Sequence, residues 1–264
     1  MKINFRYTYK YITYKILSLH KYGYGIHSPF MYDLIKQVFN SKSDKKEYLE
    51  IKKLRKLLLR NTTKLNLHEY GAGSQVTNSN IRSISYMTRV SSVSIKYGIL
   101  LSKLINKFNC ESAIELGTSI GISTLFIASA NSKISLDTIE AESIKFEIAK
   151  NNAKKLNLNN INFHCGIFST ELPKVLESKN TLDFVFFDGD HNGHRTYEYF
   201  KLCLTKINNN SIFIFDDIHW SKDMEEAWNK IIRNNKVRVS IDIFRMGIIF
   251  FRTELTKQDY IIRY

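Results

Sequence analysis

From residue 112 onward, short apolar runs alternate with longer amphipathic stretches, and that alternation leaves few folds open to the chain. The runs at 112–116, 134–139, 161–165, 182–187 and 211–215 have the length of buried strands. Helical periodicity covers 122–130, 142–156, 171–178, 194–206 and 223–234. Strands separated by helices predict a parallel sheet, because a crossover helix is the usual way to join parallel neighbours. The end of the chain departs from this pattern. Two apolar runs, 237–244 and 247–252, are separated only by Arg245 and Met246, a spacing that requires a tight hairpin and an antiparallel last strand. The expected fold class is therefore α/β: a doubly wound, mostly parallel seven-stranded sheet with a C-terminal antiparallel hairpin, plus a basic helical N-terminal extension.

The extension is read as residues 1–90, a cap or dimerisation element, and the main domain as 91–264. Residues 1–22 place Tyr9, Ile12, Ile16 and Leu19 at helical spacing, with Lys10, Lys15 and Lys21 off that stripe. The expected role of the stripe is docking on the main domain. Gly23 to Pro29 breaks the helix, and a second begins near Pro29 and runs through Phe39. A third covers 44–60, with Leu54, Leu57 and Leu58 facing inward. A strand at 65–70 precedes Gly71-Ala-Gly-Ser74, taken as a connection or a wall of a substrate site. A helix over 91–109 then leads into the first strand of the alternation.

Charge is uneven. Residues 1–100 carry 18 Lys/Arg against 5 Asp/Glu, so nearly all of the net +14 lies there. An anionic partner such as RNA, a phosphorylated substrate or a membrane surface would be attracted to it. The alternative is a lysine- and asparagine-rich composition whose charges are simply solvated, and no RNA-binding module accompanies the charge. Cys110, Cys165 and Cys203 form no CxxC pair and read as reduced thiols. No apolar run approaches the roughly 18 residues of a membrane-spanning helix, and no signal-peptide core is present. A cytoplasmic protein is expected.

The segment Glu115-Leu-Gly-Thr-Ser-Ile-Gly-Ile-Ser123 joins a strand to a helix N-terminus through two glycines. Such a turn brings backbone N–H groups close to a ligand. Glu115 would repel a pyrophosphate and attract an ammonium group. Glu140 ends the second strand about 20 residues beyond the turn, where a doubly wound fold grips ribose hydroxyls. The fourth strand empties into Asp188-Gly-Asp-His191 and the fifth into Asp216-Asp-Ile-His-Trp220. These acids would crowd one face of the sheet, and a cation or cationic ligand would relieve the crowding. Asp188, Asp216 and Asp217 are candidate Mg²⁺ ligands, with His191 or His219 as general base. A structural reading makes Asp216 or Asp217, and Asp190, helix caps instead.

With these motifs and the terminal hairpin together, residues 92–253 resemble the Rossmann-like (class I) S-adenosylmethionine-dependent methyltransferases. The likeness is greatest to the branch of catechol-type and other small-molecule O-methyltransferases. Gly25-Ile-His-Ser-Pro-Phe30, Gly71-Ala-Gly-Ser74 and Phe215-Asp-Asp-Ile-His-Trp220 look like a bacterial group within it. The resemblance implies S-adenosylmethionine as cofactor. Glu115 and the backbone of Gly117, Thr118, Ser119 and Gly121 would hold its methionine end, and Glu140 its ribose. Asp188 would sit beside the transferred methyl, and Gly166 and Phe168 beside the adenine. Where relatives carry an Asp or Asn whose side chain reaches the adenine amino group, this chain has Ile167. Metal-dependent relatives bind a divalent ion at positions corresponding to Asp188, Asp216 and Asp217, the last an Asn in those proteins. The implied catalytic residues are Asp188, His191 and His219, acting on a small-molecule acceptor. An RNA methyltransferase using the basic region and a non-catalytic Rossmann-like binding protein remain the alternatives, and the N-terminal helices are a candidate homodimer surface.

Overall fold

The structure is a computed structural model describing residues 5–18, 20, 22–42, 48–68 and 80–264. The Gly71–Ser74 segment, Leu19 and Lys21 lie outside the described residues. The chain begins with helices α1 (Phe5–Leu17), α2 (Pro29–Leu34, passing into a π-helical turn Ile35–Phe39) and α3 (Leu49–Leu58). Ser28 caps α2 by accepting from the Met31 N–H, and Pro29 fills the first turn, where no amide hydrogen is needed. A two-stranded antiparallel ribbon of β1 (Lys64–Asn66) and β2 (Ile81–Ser83) leads into α4 (Ile84–Val90) and α5 (Ile95–Phe108).

The alternating part follows: β3 (Ser112–Leu116), α6 (Ile122–Ala130), β4 (Ser135–Glu140), α7 (Ser143–Lys155), β5 (Ile161–Cys165), α8 (Phe168–Glu177), β6 (Leu182–Phe187), α9 (Gly193–Cys203), β7 (Ile207–Asp216) and α10 (Lys222–Arg233). Strands β8 (Val239–Asp242) and β9 (Met246–Phe250) form the hairpin, and β10 (Gln258–Ile261) follows. The sheet order is β10-β8-β9-β7-β6-β3-β4-β5. Strand β9 runs antiparallel to both β7 and β8, as the short spacing requires. The sheet has eight strands rather than seven. Strand β10 adds in parallel to β8, at an edge that a short polar run, Gln258-Asp-Tyr-Ile, does not announce by hydrophobicity.

Alternate side chains of the sheet feed two cores. On one face, Phe184, Phe186, Ile212, Ile214, Ile248 and Phe250 pack with α5, α6 and the helices and loops of residues 31–87. On the other, Val185, Phe187, Phe213, Phe215 and Ile249 pack with α8, α9 and α10. Strands buried on both faces read as continuous apolar runs, which is why they were visible in the sequence.

Two N-terminal expectations are corrected. On α1 the predicted stripe faces outward, with Tyr9, Ile12 and Ile16 all more than half exposed. The face toward the main body carries Tyr7, Tyr14 and the partly exposed Tyr11, whose rings meet Phe244 at 5.0, 5.3 and 5.0 Å. Tyr14 is buried because its hydroxyl donates to the Ile262 carbonyl at 2.6 Å and accepts from the Tyr264 N–H at 3.0 Å. A ring with a satisfied polar tip outcompetes isoleucine at a site lined by backbone groups. On α3 the inward residues are Ile51, Leu54 and Leu58, while Leu57 is exposed.

Candidate active site

The glycine turn closes the carboxyl end of β3, whose neighbours β4 and β6 continue the chain in opposite directions across the sheet. This is the switch point where open α/β sheets bind ligands. Gly117, Ser119 and Gly121 all have positive φ, at 104°, 49° and 88°. A Cβ on Gly121 would meet Ala149 of α7 at 3.1 Å, so this glycine also lets two helices approach. The Glu140 carboxylate pins the turn by accepting from the Ser119 N–H at 2.8 Å, and it accepts from the Glu142 N–H at 3.0 Å. Thr118 Oγ1 bonds Thr138 Oγ1 at 2.6 Å, tying the turn to β4.

Glu115 lies beneath the turn rather than beside it, with no solvent exposure. Its Oε2 accepts from Thr124 at 2.6 Å and Thr138 at 2.7 Å, joining α6, β3 and β4. Its Oε1 has no hydrogen-bond partner among the described residues. Burial raises its pKa to about 7, although the hydroxyls of Ser123, Thr124 and Thr138 pull the other way. Beyond β5, Ile167 is exposed and Phe168 lies against Gly189, where a Cβ would come within 2.5 Å of its ring. The Phe168 ring also meets Tyr199 edge-on at 5.7 Å.

Register brings the acids together. Leu116 pairs with Phe187 and Phe187 with Phe215, so the residues that follow these strands emerge side by side. The Asp188 N–H donates to the Leu116 carbonyl at 2.8 Å. Burial, and next the charge of Asp216, hold the Asp188 pKa well above the usual carboxylate range. Asp217, at φ 53°, is pushed up to about 6, chiefly by burial and then by Asp216, with His191 and Arg245 opposing. His191 Nε2 stands 4.0 Å from Asp217 Oδ2, with a third of its side chain exposed.

Three sequence-based expectations change. The acids read as Mg²⁺ ligands already face a cation of the chain itself. Arg245, from the β8–β9 turn, takes both oxygens of Asp216 (Nη2–Oδ2 2.9 Å, Nε–Oδ1 3.1 Å) and lies 3.9 Å from Asp217. No metal-binding cluster of His, Cys, Asp or Glu occurs among the described residues. His219 is not placed to act as a base. Its Nδ1 meets Glu225 at 3.1 Å, its Nε2 meets Asp242 at 2.7 Å, and its ring stacks on Phe244 at 5.3 Å. The helix caps are other residues: Ser221 caps α10 and Asn192 caps α9, while Asp190 pairs with Arg195.

Arg245 and Tyr7 were missed. The unneutralised acids were a signal that a cation must be near, but nothing local marked Arg245 as that cation. Tyr7 packs against Trp220 and Phe244, and its pKa is raised by burial and by Asp217. A cavity of about 360 Å³ lined by Phe30, Lys107, Asn210 and Arg252 lies at the opposite, amino-terminal edge of the sheet, away from these groups.

Residues 114–218 match a family model described as a methyltransferase domain. No curated protein matches the chain. Similar solved structures include an O-methyltransferase from Bacillus cereus in complex with SAH, at 16% identity and TM-score 0.56, covering 90% of this chain and 99% of that one. The SAH-bound methyltransferase PaMTH1 of Podospora anserina aligns at 12% identity and TM-score 0.58, over 85% and 97%. TomG of Streptomyces achromogenes, an O-methyltransferase in complex with SAM, aligns at 16% identity and TM-score 0.54, over 83% and 95%. The chain shares the α/β fold of these solved methyltransferases. The segment that matches the methyltransferase-domain model contains the glycine turn, the first acidic loop and Asp216 and Asp217 of the second.

Proposed function

We propose that the protein is an S-adenosylmethionine-dependent methyltransferase that methylates an oxygen atom of a small molecule in the cytoplasm. The observation that carries this reading is the 117–121 turn, with three positive-φ residues at the switch point, pinned by Glu140. Glu115, with its unpartnered Oε1, and the turn's backbone N–H groups suit the methionine end of the cofactor. Each Glu140 oxygen spends one lone pair on a backbone N–H and keeps another for a ribose hydroxyl. Phe168 and the backbone near Gly166 suit the adenine, for which Ile167 offers no side-chain acceptor.

When bound, the cofactor supplies a methyl group already activated by its sulfonium. The protein's own work is then alignment and proton removal. Asp188 lines the acceptor side. His191 takes the acceptor proton, and the Asp217 carboxylate favours the imidazolium that results. The O-methyltransferases among the similar structures support oxygen as the acceptor atom. Free thiols at all three cysteines and the lack, among the described residues, of any helix able to cross a membrane agree with a cytoplasmic setting.

The RNA alternative rests on the basic first 100 residues, but Arg6 and Lys10 are engaged by Glu225 of α10. Salt-sensitive retention on RNA would revive it. A homodimer through the exposed Tyr9, Ile12 and Ile16 of α1 belongs to the same proposal. Calorimetric titration with S-adenosylmethionine tests the central claim. Binding is expected for the wild type and strong weakening for Glu140→Ala, and absence of heat in the wild type would leave a non-catalytic protein.

A further inference from the structure

We infer that the acceptor site works without a divalent cation, because the Arg245 guanidinium stands where metal-dependent relatives of this fold would carry their ion. The inference rests on the methyltransferase reading for its purpose, but not for its test. Three carboxylates, Asp188, Asp216 and Asp217, leave the ends of β6 and β7 side by side, and such a set needs a positive charge. Arg245 supplies that charge from within the chain. Asp216, with no side-chain exposure, gives both its oxygens to Nε and Nη2. Asp217 and Asp188 add to the charges that hold the guanidinium protonated.

The position of Arg245 is built rather than incidental. It follows Phe244, which takes φ 70° in the turn and donates its N–H to Asp242 Oδ1 at 2.6 Å. The rings of Tyr7, Tyr11 and Tyr14 and the imidazole of His219 surround Phe244. The Ile218 N–H reaches the Arg245 carbonyl at 3.4 Å, and the guanidinium lies 5.7 Å from the Tyr97 ring. A divalent ion entering here would have to expel a guanidinium clamped by the turn, by Asp216 and by an aromatic face. Its charge would also repel that guanidinium.

Nε and one hydrogen of Nη2 go to Asp216, while Nη1 has no hydrogen-bond partner among the described residues. Its two N–H groups are donors for an acceptor oxygen, whose anion they would stabilise as it loses its proton to His191. Arg245 thereby stands in for the Lewis acid of the metal-dependent design.

The test is calorimetric titration of MnCl₂ into the protein, alone and saturated with S-adenosylmethionine. No stoichiometric Mn²⁺ site is expected in the wild type, and the cofactor isotherm should be unchanged by a chelator. An Arg245→Met variant keeps the side-chain bulk, loses the charge and frees the carboxylates of Asp216 and Asp217. It should gain stoichiometric Mn²⁺ binding and a rise in Tm when Mn²⁺ is added. Stoichiometric Mn²⁺ uptake by the wild type would overturn the inference, as would a folded Arg245→Met protein with no gain in Mn²⁺ affinity. If the variant does not fold, the wild-type titration still decides. Failure of the cofactor to bind would sink the methyltransferase reading while leaving the metal titration of the free protein to be judged by itself.

Discussion

A Cβ placed on Gly117 would lie 2.5 Å from the carbonyl oxygen of Asp188. The contact is backbone against backbone, so neither side can rotate away, and Gly117 also holds φ at 104°. The glycine turn and the first acidic loop therefore position one another. Gly117→Ala should lower stability by about 1–3 kcal/mol through strain at positive φ. It should also weaken cofactor binding beyond what the lost stability explains. Urea unfolding and calorimetry on the same preparation check this, and near wild-type values in both would show that the turn tolerates a side chain.

Glu115 gives the protein a predictable pH dependence. Its native pKa is raised from 4.5 to about 7, so the folded state holds the proton more tightly than the unfolded chain. The stability this confers is complete below about pH 4.5, is lost as pH rises toward 7, and stays lost above. Glu115→Gln should flatten that slope and be the more stable protein at pH 8, by at most about 3 kcal/mol. Urea denaturation at half-unit pH steps measures it. Parallel curves for the two proteins would mean that the carboxyl is ionised throughout.

The two histidines should separate cleanly. Burial works against a charged His219, but Asp242 and Glu225 outweigh it and raise its pKa above 6.5. Its contribution to stability is then full below pH 6.5 and fades as pH rises through the raised value. His219→Gln should lose stability on the acid side of that window and least on the alkaline side. His191→Gln should leave the fold intact and cut methyl transfer by about 10²- to 10⁴-fold. Tm against pH, with transfer of labelled methyl to a panel of phenols and alcohols, distinguishes them.

Tyr14 holds the first helix to the end of the chain. Tyr14→Phe removes the donor to Ile262 and the acceptor for Tyr264, leaving two backbone groups without partners. A loss of about 1–3 kcal/mol is expected. Hydrogen exchange should quicken in Phe5–Leu17 before it does in the sheet. Unchanged exchange in that helix would show that its aromatic contacts with Phe244 suffice.

Much of the fold is legible in local pattern. The five parallel strands and their helices are legible because a strand buried on both faces is a continuous apolar run, and each helix repeats its own period. Glu115, Gly117, Gly121 and Glu140 are legible because a tight turn at a strand end constrains residue type locally. Strand β10 was not, since a short edge strand needs no distinctive hydrophobicity. The docking side of α1 is not legible because Tyr7, Tyr11 and Tyr14, which face Phe244, have the same helical spacing as the more exposed Tyr9, Ile12 and Ile16 on the other side.

The amino-acid order alone established a wound sheet, a closing hairpin, a glycine turn and a rim of acids, because each is written in contiguous residues. Which cation answers those acids was decided only in three dimensions. Asp216 and Arg245 are 29 positions apart and meet because β9 folds back on β7, pairing Asp216 with Met246. The same folding placed both ring nitrogens of His219 against carboxylates and left His191 beside Asp217. Charge pairing is set by distance through space, and the chain's order fixes that distance only once strand register has been chosen.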